Sequence, residues 1–221
     1  MKKKAFLFDL NGTMINDMDY HIKAWHRILN NLGANLTIDR MKKECYGKNS
    51  ELLERIFPGR FSNEAINEMS MEKELAYQEA FRPHLKLLDG LYNFLETAHE
   101  TGIRQAIGSA AIMFNIDFVL DGTGIRQFID AIVCADDVHE SKPHPETFLK
   151  AAELLQVTPG ECIVFEDTPK GVESAINAGM DAVVLTTLHT PEEFGEYKNI
   201  ISFAKDFTEL QDLFPILTGK F

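Results

Sequence analysis

The stretch "AFLFDLNGTMIND", residues 5–17, decides how this chain is read. Four apolar residues, Ala5 to Phe8, run without alternation and stop at Asp9. A short run that is apolar at every position suits a strand buried on both faces of a sheet. The polar turn after it holds Asn11, Gly12 and Thr13. In open α/β sheets ligands bind just beyond the carboxyl ends of the strands, which is where this turn falls. Position 11 raises a second question. An amide stands there, two residues after a carboxylate, where a second acid would make an obvious acid–base partner.

Similar runs recur at "RQAIGS" (104–109), "AIVCA" (131–135), "CIVF" (162–165) and "AVVLTT" (182–187). Helical patterns lie between them: "LYNFLETAHETG" (91–102), "PETFLKAAELLQV" (145–157) and "PKGVESAINAG" (169–179). Strand and helix in series predict an α/β fold with a doubly wound, mostly parallel sheet. Residues 16–85 break the rhythm with helical signals and almost no strand signal. There "YHIKAWHRILNNLG" sets Tyr20, Ala24, Trp25, Ile28, Leu29 and Leu32 near one helix face, and Trp25 reads as the core of that block. The expected organisation is an α/β core of residues 1–15 and 86–221, with an inserted helical cap of residues 16–85 over the carboxyl ends of the strands.

Composition narrows the classes. With 221 residues, 45% hydrophobic and 25% charged, the chain can bury a sizeable core. Its 22 Lys+Arg against 34 Asp+Glu leave a formal charge of −12, which argues against nucleic acid or an anionic membrane surface as partner. No run is long enough to span a bilayer, and the basic start "MKKKAFLFDL" meets Asp9 too soon for a secretory segment. The cysteines Cys45, Cys134 and Cys162 show no CxxC spacing, and the last two sit in apolar runs as small buried hydrophobes. The chain reads as a cytoplasmic monomer whose partner is a small metabolite.

Polar residues gather after the strand-like runs: Asp9, Asn11 and Thr13, then Ser109, then Lys142 in "SKPHPETF", then Glu166, Asp167 and Thr168. A parallel sheet brings these ends to one edge. Three carboxylates there make a hard oxygen site of the kind Mg²⁺ takes. Lys142, Ser109, Thr13 and the backbone N–H groups near Gly12 could hold phosphoryl oxygens. A carboxylate beside a metal ion and such a clamp can act as a nucleophile and form an aspartyl-phosphate. Each residue also has a plainer reading. Glu166 and Asp167 alone make an acidic pair in a first helical turn, Ser109 an N-cap, Lys142 and Lys48 ordinary lysines. His21 reads first as a partly buried structural histidine facing the cleft, and His139 and His144 as turn or surface residues. The shared position after buried runs promotes the functional readings.

Together these stretches carry a resemblance. "FDLNGTMIND", "IGSAA", "SKPHPETF" and "VFEDTPKGVESAINAGM" are similar to the four ordered motifs of the haloacid dehalogenase superfamily. The helical insert resembles that superfamily's cap, and "DYHIKAW" resembles its opening in β-phosphoglucomutase-like members. The resemblance implies Asp9 as nucleophile, with Asn11, Lys142 and Ser109 in the catalytic set. It implies Mg²⁺ on Asp9, the carbonyl of Asn11, Asp167 and Glu166. It further implies substrate contacts from Gly12, Thr13 and Ala110, and from His21, Lys48 and Asn49 of the cap.

Two positions depart from the pattern. The superfamily's usual pattern has Asp where this chain has Asn11, although its C–P hydrolase branch also lacks that acid, which exchanges a proton with the leaving oxygen and the attacking water. Asn11 keeps the backbone carbonyl and an amide that hydrogen-bonds but does not titrate at neutral pH. In the cap loop "CYGKNSELL" (45–53), the mutase pattern has a Lys before the glycine and an Arg soon after, to grip a second phosphate. Here Tyr46 precedes Gly47, and Lys48 and Asn49 follow. Three classes compete: a Mg²⁺-dependent phosphatase or phosphomutase on a small phosphorylated metabolite such as a sugar phosphate, a C–P bond hydrolase using Lys48 as a Schiff-base partner, and a weakly catalytic phosphometabolite binder. Asn11→Asp should raise kcat/KM for a sugar phosphate by ~10²-fold or more, the usual scale of general acid–base help, and much less for p-nitrophenyl phosphate, whose leaving group needs no proton. Equal gains on both substrates would show that Asn11 is not the missing proton carrier.

Overall fold

Runs apolar at every position satisfy both faces of a sheet at once. The computed structural model of the chain, which describes residues 2–195, 197–211 and 214–218, builds its sheet from them. The strands are β1 (Ala5–Phe8), β2 (Arg104–Gly108), β3 (Ala131–Val133), β4 (Cys162–Glu166), β5 (Asp181–Leu185) and β6 (Ile200–Ala204). The helices are α1 (Met18–Asn31), α2 (Ile38–Glu44), α3 (Asn49–Ile56), α4 (Asn63–Phe81), α5 (Leu91–Glu100), α6 (Met113–Thr123), α7 (Glu146–Leu154), α8 (Pro169–Asn177) and α9 (Phe214–Thr218). The chain divides into two compact units, residues 1–16 with 86–221 and residues 17–85.

The sheet order is β3-β2-β1-β4-β5-β6, and every strand pair among the described residues is parallel, where the sequence predicts a mostly parallel sheet. Strand order reverses between β1 and β4, which pair with Ala5 opposite Cys162 and Phe8 opposite Phe165. The crevice beyond the carboxyl ends of those two strands is the ligand position of doubly wound sheets.

Alternation along each strand separates two cores. On one face Ala5, Leu7, Cys162 and Val164 pack with Phe148 and Ala151 of α7 and Val172 and Ala175 of α8. On the other, rings stack on rings: Phe6 lies 5.4 Å from Phe94 of α5, and Phe8 lies 4.8 Å from Phe165. The face toward α7 and α8 uses mostly small and branched residues, which lets the helices approach the sheet closely.

In residues 17–85, Ile22, Trp25, Ile28 and Leu29 of α1 pack with Met41 of α2 and Leu52 and Leu53 of α3. Trp25 is core there, as its place on the apolar stripe predicts. Four elements escape the sequence patterns, the five-residue α9 among them. The α2 segment "IDRMKKE" is mostly polar, α6 is apolar nearly all round, and β6 alternates, with Ile201 and Phe203 exposed, because it is an edge strand. Cys134 and Cys162 are buried, and burial pushes the Cys162 thiol up to about 12. Among the described residues no helix is long and apolar enough to cross a membrane.

Phe94 touches rings from four other segments, at 5.4 Å from Phe6, 5.3 Å from Phe165, 5.2 Å from Phe207 and 5.3 Å from Phe214. Phe94→Ala should cost about 3–5 kcal/mol, the usual loss for a large aromatic removed from a packed core. Chemical denaturation of the two proteins measures this, and a loss below about 1 kcal/mol would mean that the aromatic face collapses to fill the gap.

Candidate active site

The sheet ladder runs one residue past β1. The Asp9 N–H donates to the Phe165 carbonyl at 2.9 Å, so the carboxylate leaves the strand end in a fixed direction. Its Oδ1 accepts from Lys142 Nζ at 2.7 Å, and the same ammonium donates to Glu166 Oε1 at 2.7 Å. Lys142 comes from the loop between β3 and α7, and its Nζ also lies 4.6 Å from the centre of the Phe148 ring. Burial works against its charge, but Asp9 and Glu166 more than offset that and hold the ammonium above the ordinary lysine range.

Glu166 is turned toward the start of α8. Its Oε2 accepts from the N–H groups of Asp167 and Thr168, each at 2.9 Å, and from Thr168 Oγ1 at 3.0 Å. Thr168 caps α8 by accepting from the Gly171 N–H. A Cβ on Gly171 would lie 1.8 Å from the Glu166 carboxyl carbon, so the helix can sit against the carboxylate only with glycine there.

Asp167 is buried and reaches back to the first turn. Thr13 Oγ1 donates to its Oδ1 at 3.2 Å. Its Oδ2 is buried with no hydrogen-bond partner among the described residues. Burial pushes this carboxyl well above the usual carboxylate range, and the charges of Glu166 and Asp9 push it further. Gly12 stands against it with φ of 82°, and a Cβ there would lie 2.1 Å from Asp167 Oδ2. The Gly12 N–H donates to the Ile15 carbonyl and the Thr13 N–H to the Leu10 carbonyl, so both serve the turn itself. A trans peptide sets C=O against N–H, so the Asn11 carbonyl points away from Ile15.

These residues fit a divalent cation. Three acids face one ammonium, a buried carboxylate oxygen has no donor, and a backbone carbonyl adds a neutral oxygen. Oxygen-only donors suit Mg²⁺. Glu166 is already held by Lys142 and the α8 backbone, and among the described residues no three His, Cys, Asp or Glu side chains gather in a metal-binding group. Asp9, Asp167 and the Asn11 carbonyl would supply oxygens to such an ion. Ser109 ends β2 at the same edge, where its Oγ accepts from the Ala111 N–H at 3.1 Å. Ala110 lies between them.

The other expected site residues belong to residues 17–85. Lys73 Nζ lies 2.7 Å from His21 Nδ1 and 3.0 Å from both oxygens of Glu74. An ammonium only donates, so Nδ1 accepts and the ring proton sits on Nε2, 3.1 Å from Asp17 Oδ2. Tyr77 donates to the same Asp17 oxygen at 2.6 Å and stacks on the His21 ring at 3.7 Å. Asn49 donates to Glu74 Oε1 at 2.6 Å. Lys48 precedes α3, and its N–H donates to Glu51. Arg55 lies 3.8 Å over the Tyr46 ring and donates to Glu44 and to the Tyr46 carbonyl. The sequence patterns single out neither Lys73 nor Glu74 nor Thr187, whose hydroxyl donates to the Gly12 carbonyl at 2.6 Å. Thr187 follows the apolar run of β5 as Ser109 follows that of β2, and that parallel is the signal that could find it.

Comparison with known proteins agrees with this geometry. The family described as haloacid dehalogenase-like hydrolase matches residues 6–185. The chain belongs to the haloacid dehalogenase-like hydrolases. It is 30% identical over 180 residues to the fructose-1-phosphate phosphatase of Escherichia coli, covering 81% of this chain and 94% of that one. It is 28% identical over 208 residues to the validoxylamine A 7'-phosphate phosphatase of Streptomyces hygroscopicus, covering 94% and 96%. The β-phosphoglucomutase structure from Clostridium difficile superposes with a TM-score of 0.85 at 26% identity, covering 99% and 96%. The expected family and the α/β fold are thus both found, and the chain is an enzyme of the haloacid dehalogenase type.

Lys142→Met should leave Asp9 and Glu166 buried without their cation. Breaking a buried ion pair from one side costs about 3–5 kcal/mol. Thermal and denaturant unfolding measure the loss, and a variant as stable as the parent would show that the carboxylates are solvated some other way.

Proposed function

We propose that the chain is a Mg²⁺-dependent phosphatase that acts on a small monophosphorylated metabolite of the sugar-phosphate kind. Phosphatase and phosphomutase relatives support the coarser part of this reading. The observation that carries it is Asp9 held by Lys142 at the carboxyl edge of β1, beside the unpartnered Oδ2 of Asp167.

Asp9 is the nucleophile. It attacks the phosphorus in line, the P–O bond to the substrate breaks, and water later releases phosphate from the aspartyl-phosphate. Bound through Asp9, Asp167 and the Asn11 carbonyl, Mg²⁺ would supply charge that offsets the phosphoryl oxygens. Lys142 lies against Asp9 and adds positive charge for the phosphoryl oxygens. The Ser109 oxygen already accepts from Ala111, which leaves its hydrogen for a phosphoryl oxygen. Thr13 fixes the rotamer of Asp167. Asn11 orients by its amide and moves no proton, so the leaving oxygen takes its proton from solvent or from the substrate's own hydroxyls.

The contacts of the loop at 45–53 favour phosphatase over mutase. Tyr46 and Asn49 bring no charge, and Arg55 is engaged by Glu44 and by Tyr46. Charged donors are the strong phosphate ligands, and this loop offers few to a second phosphate.

A panel of sugar phosphates with Mg²⁺, and again with excess chelator, tests the reading. Release of phosphate from monophosphates such as fructose 1-phosphate, abolished by chelator, is expected. Interconversion of glucose 1- and 6-phosphates should be slower than hydrolysis. Efficient interconversion would make the enzyme a mutase, and capture of a phosphonoaldehyde on Lys48 by borohydride would make it a C–P hydrolase.

A further inference from the structure

Gly12 joins Asn11 to Thr13 at a φ of 82°, a conformation that glycine enters freely and holds weakly, because it has no side chain to pack. What fixes it must come from outside. The peptide groups flanking Gly12 are held by hydrogen bonds, among them the Thr13 N–H to the Leu10 carbonyl at 3.3 Å. The Asn11–Gly12 peptide is held by its N–H, which donates to the Ile15 carbonyl at 2.8 Å. The Gly12–Thr13 peptide is held by its carbonyl, which accepts from Thr187 Oγ1 at 2.6 Å. The first tie is local, three residues along the same turn. The second crosses from the carboxyl end of β5, beyond β4, and together with the Thr13–Asp167 hydrogen bond ties the turn to the strand ends.

We infer that Thr187 is a positioning residue for phosphoryl transfer, whose hydroxyl locks the Gly12 peptide so that the Asn11 carbonyl and the Thr13 hydroxyl keep their directions. The assignment rests on the reading of the Asp9 edge as the phosphoryl-transfer site. Its logic is geometric. A planar peptide cannot turn its carbonyl without turning its N–H. Without the Thr187 bond this peptide relies on the long contact of the Thr13 N–H with the Leu10 carbonyl, at 3.3 Å. Loss of that bond also loosens Thr13, whose hydroxyl sets Asp167. Asp167 in turn presses on the α-carbon of Gly12, where a Cβ would meet its Oδ2 at 2.1 Å. One half-buried hydroxyl thus governs a closed set of contacts among Gly12, Thr13 and Asp167 without touching the substrate.

The test uses the full chain with Thr187→Val, Thr187→Ala and Thr187→Ser. Valine replaces the hydroxyl by a methyl, alanine removes both groups, and serine keeps the hydroxyl. Three quantities are read: the amide resonances of Gly12 and Thr13 in metal-free protein, the dissociation constant for Mg²⁺ by calorimetry, and kcat and KM for p-nitrophenyl phosphate. Valine and alanine should both shift the two amides, leave the melting temperature close to the parent's, and lower Mg²⁺ affinity or kcat by about 10- to 100-fold, the usual effect of losing a partner that orients a ligand. KM should change less than kcat. Serine should restore all three readings. Unshifted amides in both variants, or serine as impaired as valine, would overturn the assignment. A parent protein that binds no Mg²⁺ and hydrolyses no phosphoester would instead overturn the phosphatase reading, while the amide resonances would still decide whether Thr187 holds the turn.

Discussion

One ammonium reconciles three carboxylates. Asp9, Glu166 and Asp167 come together where β1 and β4 end, in a place screened from water by apolar strands and helices. Unpaired, such charges would protonate or push the strand ends apart. Lys142 touches two of the acids directly and takes its place because the loop after β3 brings it to the same edge. The remaining excess of negative charge falls on Asp167, whose carboxyl is pushed upward and whose Oδ2 has no donor among the described residues. The site thus carries an excess of negative charge, which fits the divalent cation proposed for it.

Backbone as well as side chains shares this task. Glu166 is stabilised by the N–H groups that open α8, where a helix offers partial positive charge. Glycine at 171 lets the helix close on the carboxylate, and glycine at 12 lets the first turn close on Asp167. Both are places where function depends on the absence of a side chain, and neither shows as a chemical group in a search for catalysts.

Much of this is legible in the amino-acid sequence. The runs that form β1, β2, β4 and β5 stand out because a strand covered on both faces has no polar alternation. The placing of Asp9, Ser109, Lys142, Glu166 and Asp167 at one edge follows from parallel order alone. Less legible is what depends on direction. The strand β6 has one wet face and so lacks the continuous run. No spacing of residues tells that Glu166 turns toward α8 and Lys142, or that Lys73 sets the proton of His21 on Nε2. Nor does any local pattern show Thr187 reaching Gly12, since that contact joins residues 175 positions apart.

The order of the strands also bears on how the molecule is made. Strand β1 comes first of the strands, yet its two neighbours are β2 and β4, and Phe8 pairs with Ile107 on one side and Phe165 on the other. The segment 17–85 is complete well before either partner exists, and it holds a hydrophobic core within itself. Pairings of such long separation are slow to form, because loop closure costs entropy before contacts repay it. During synthesis, therefore, the segment that carries the nucleophile waits as an unpaired apolar strand behind a finished helical insert. It gains its first partner at β2 and its second at β4. Newly made chains of this architecture are exposed to aggregation and to chaperones at Ala5–Phe8, the same four residues that later lie deepest in the sheet.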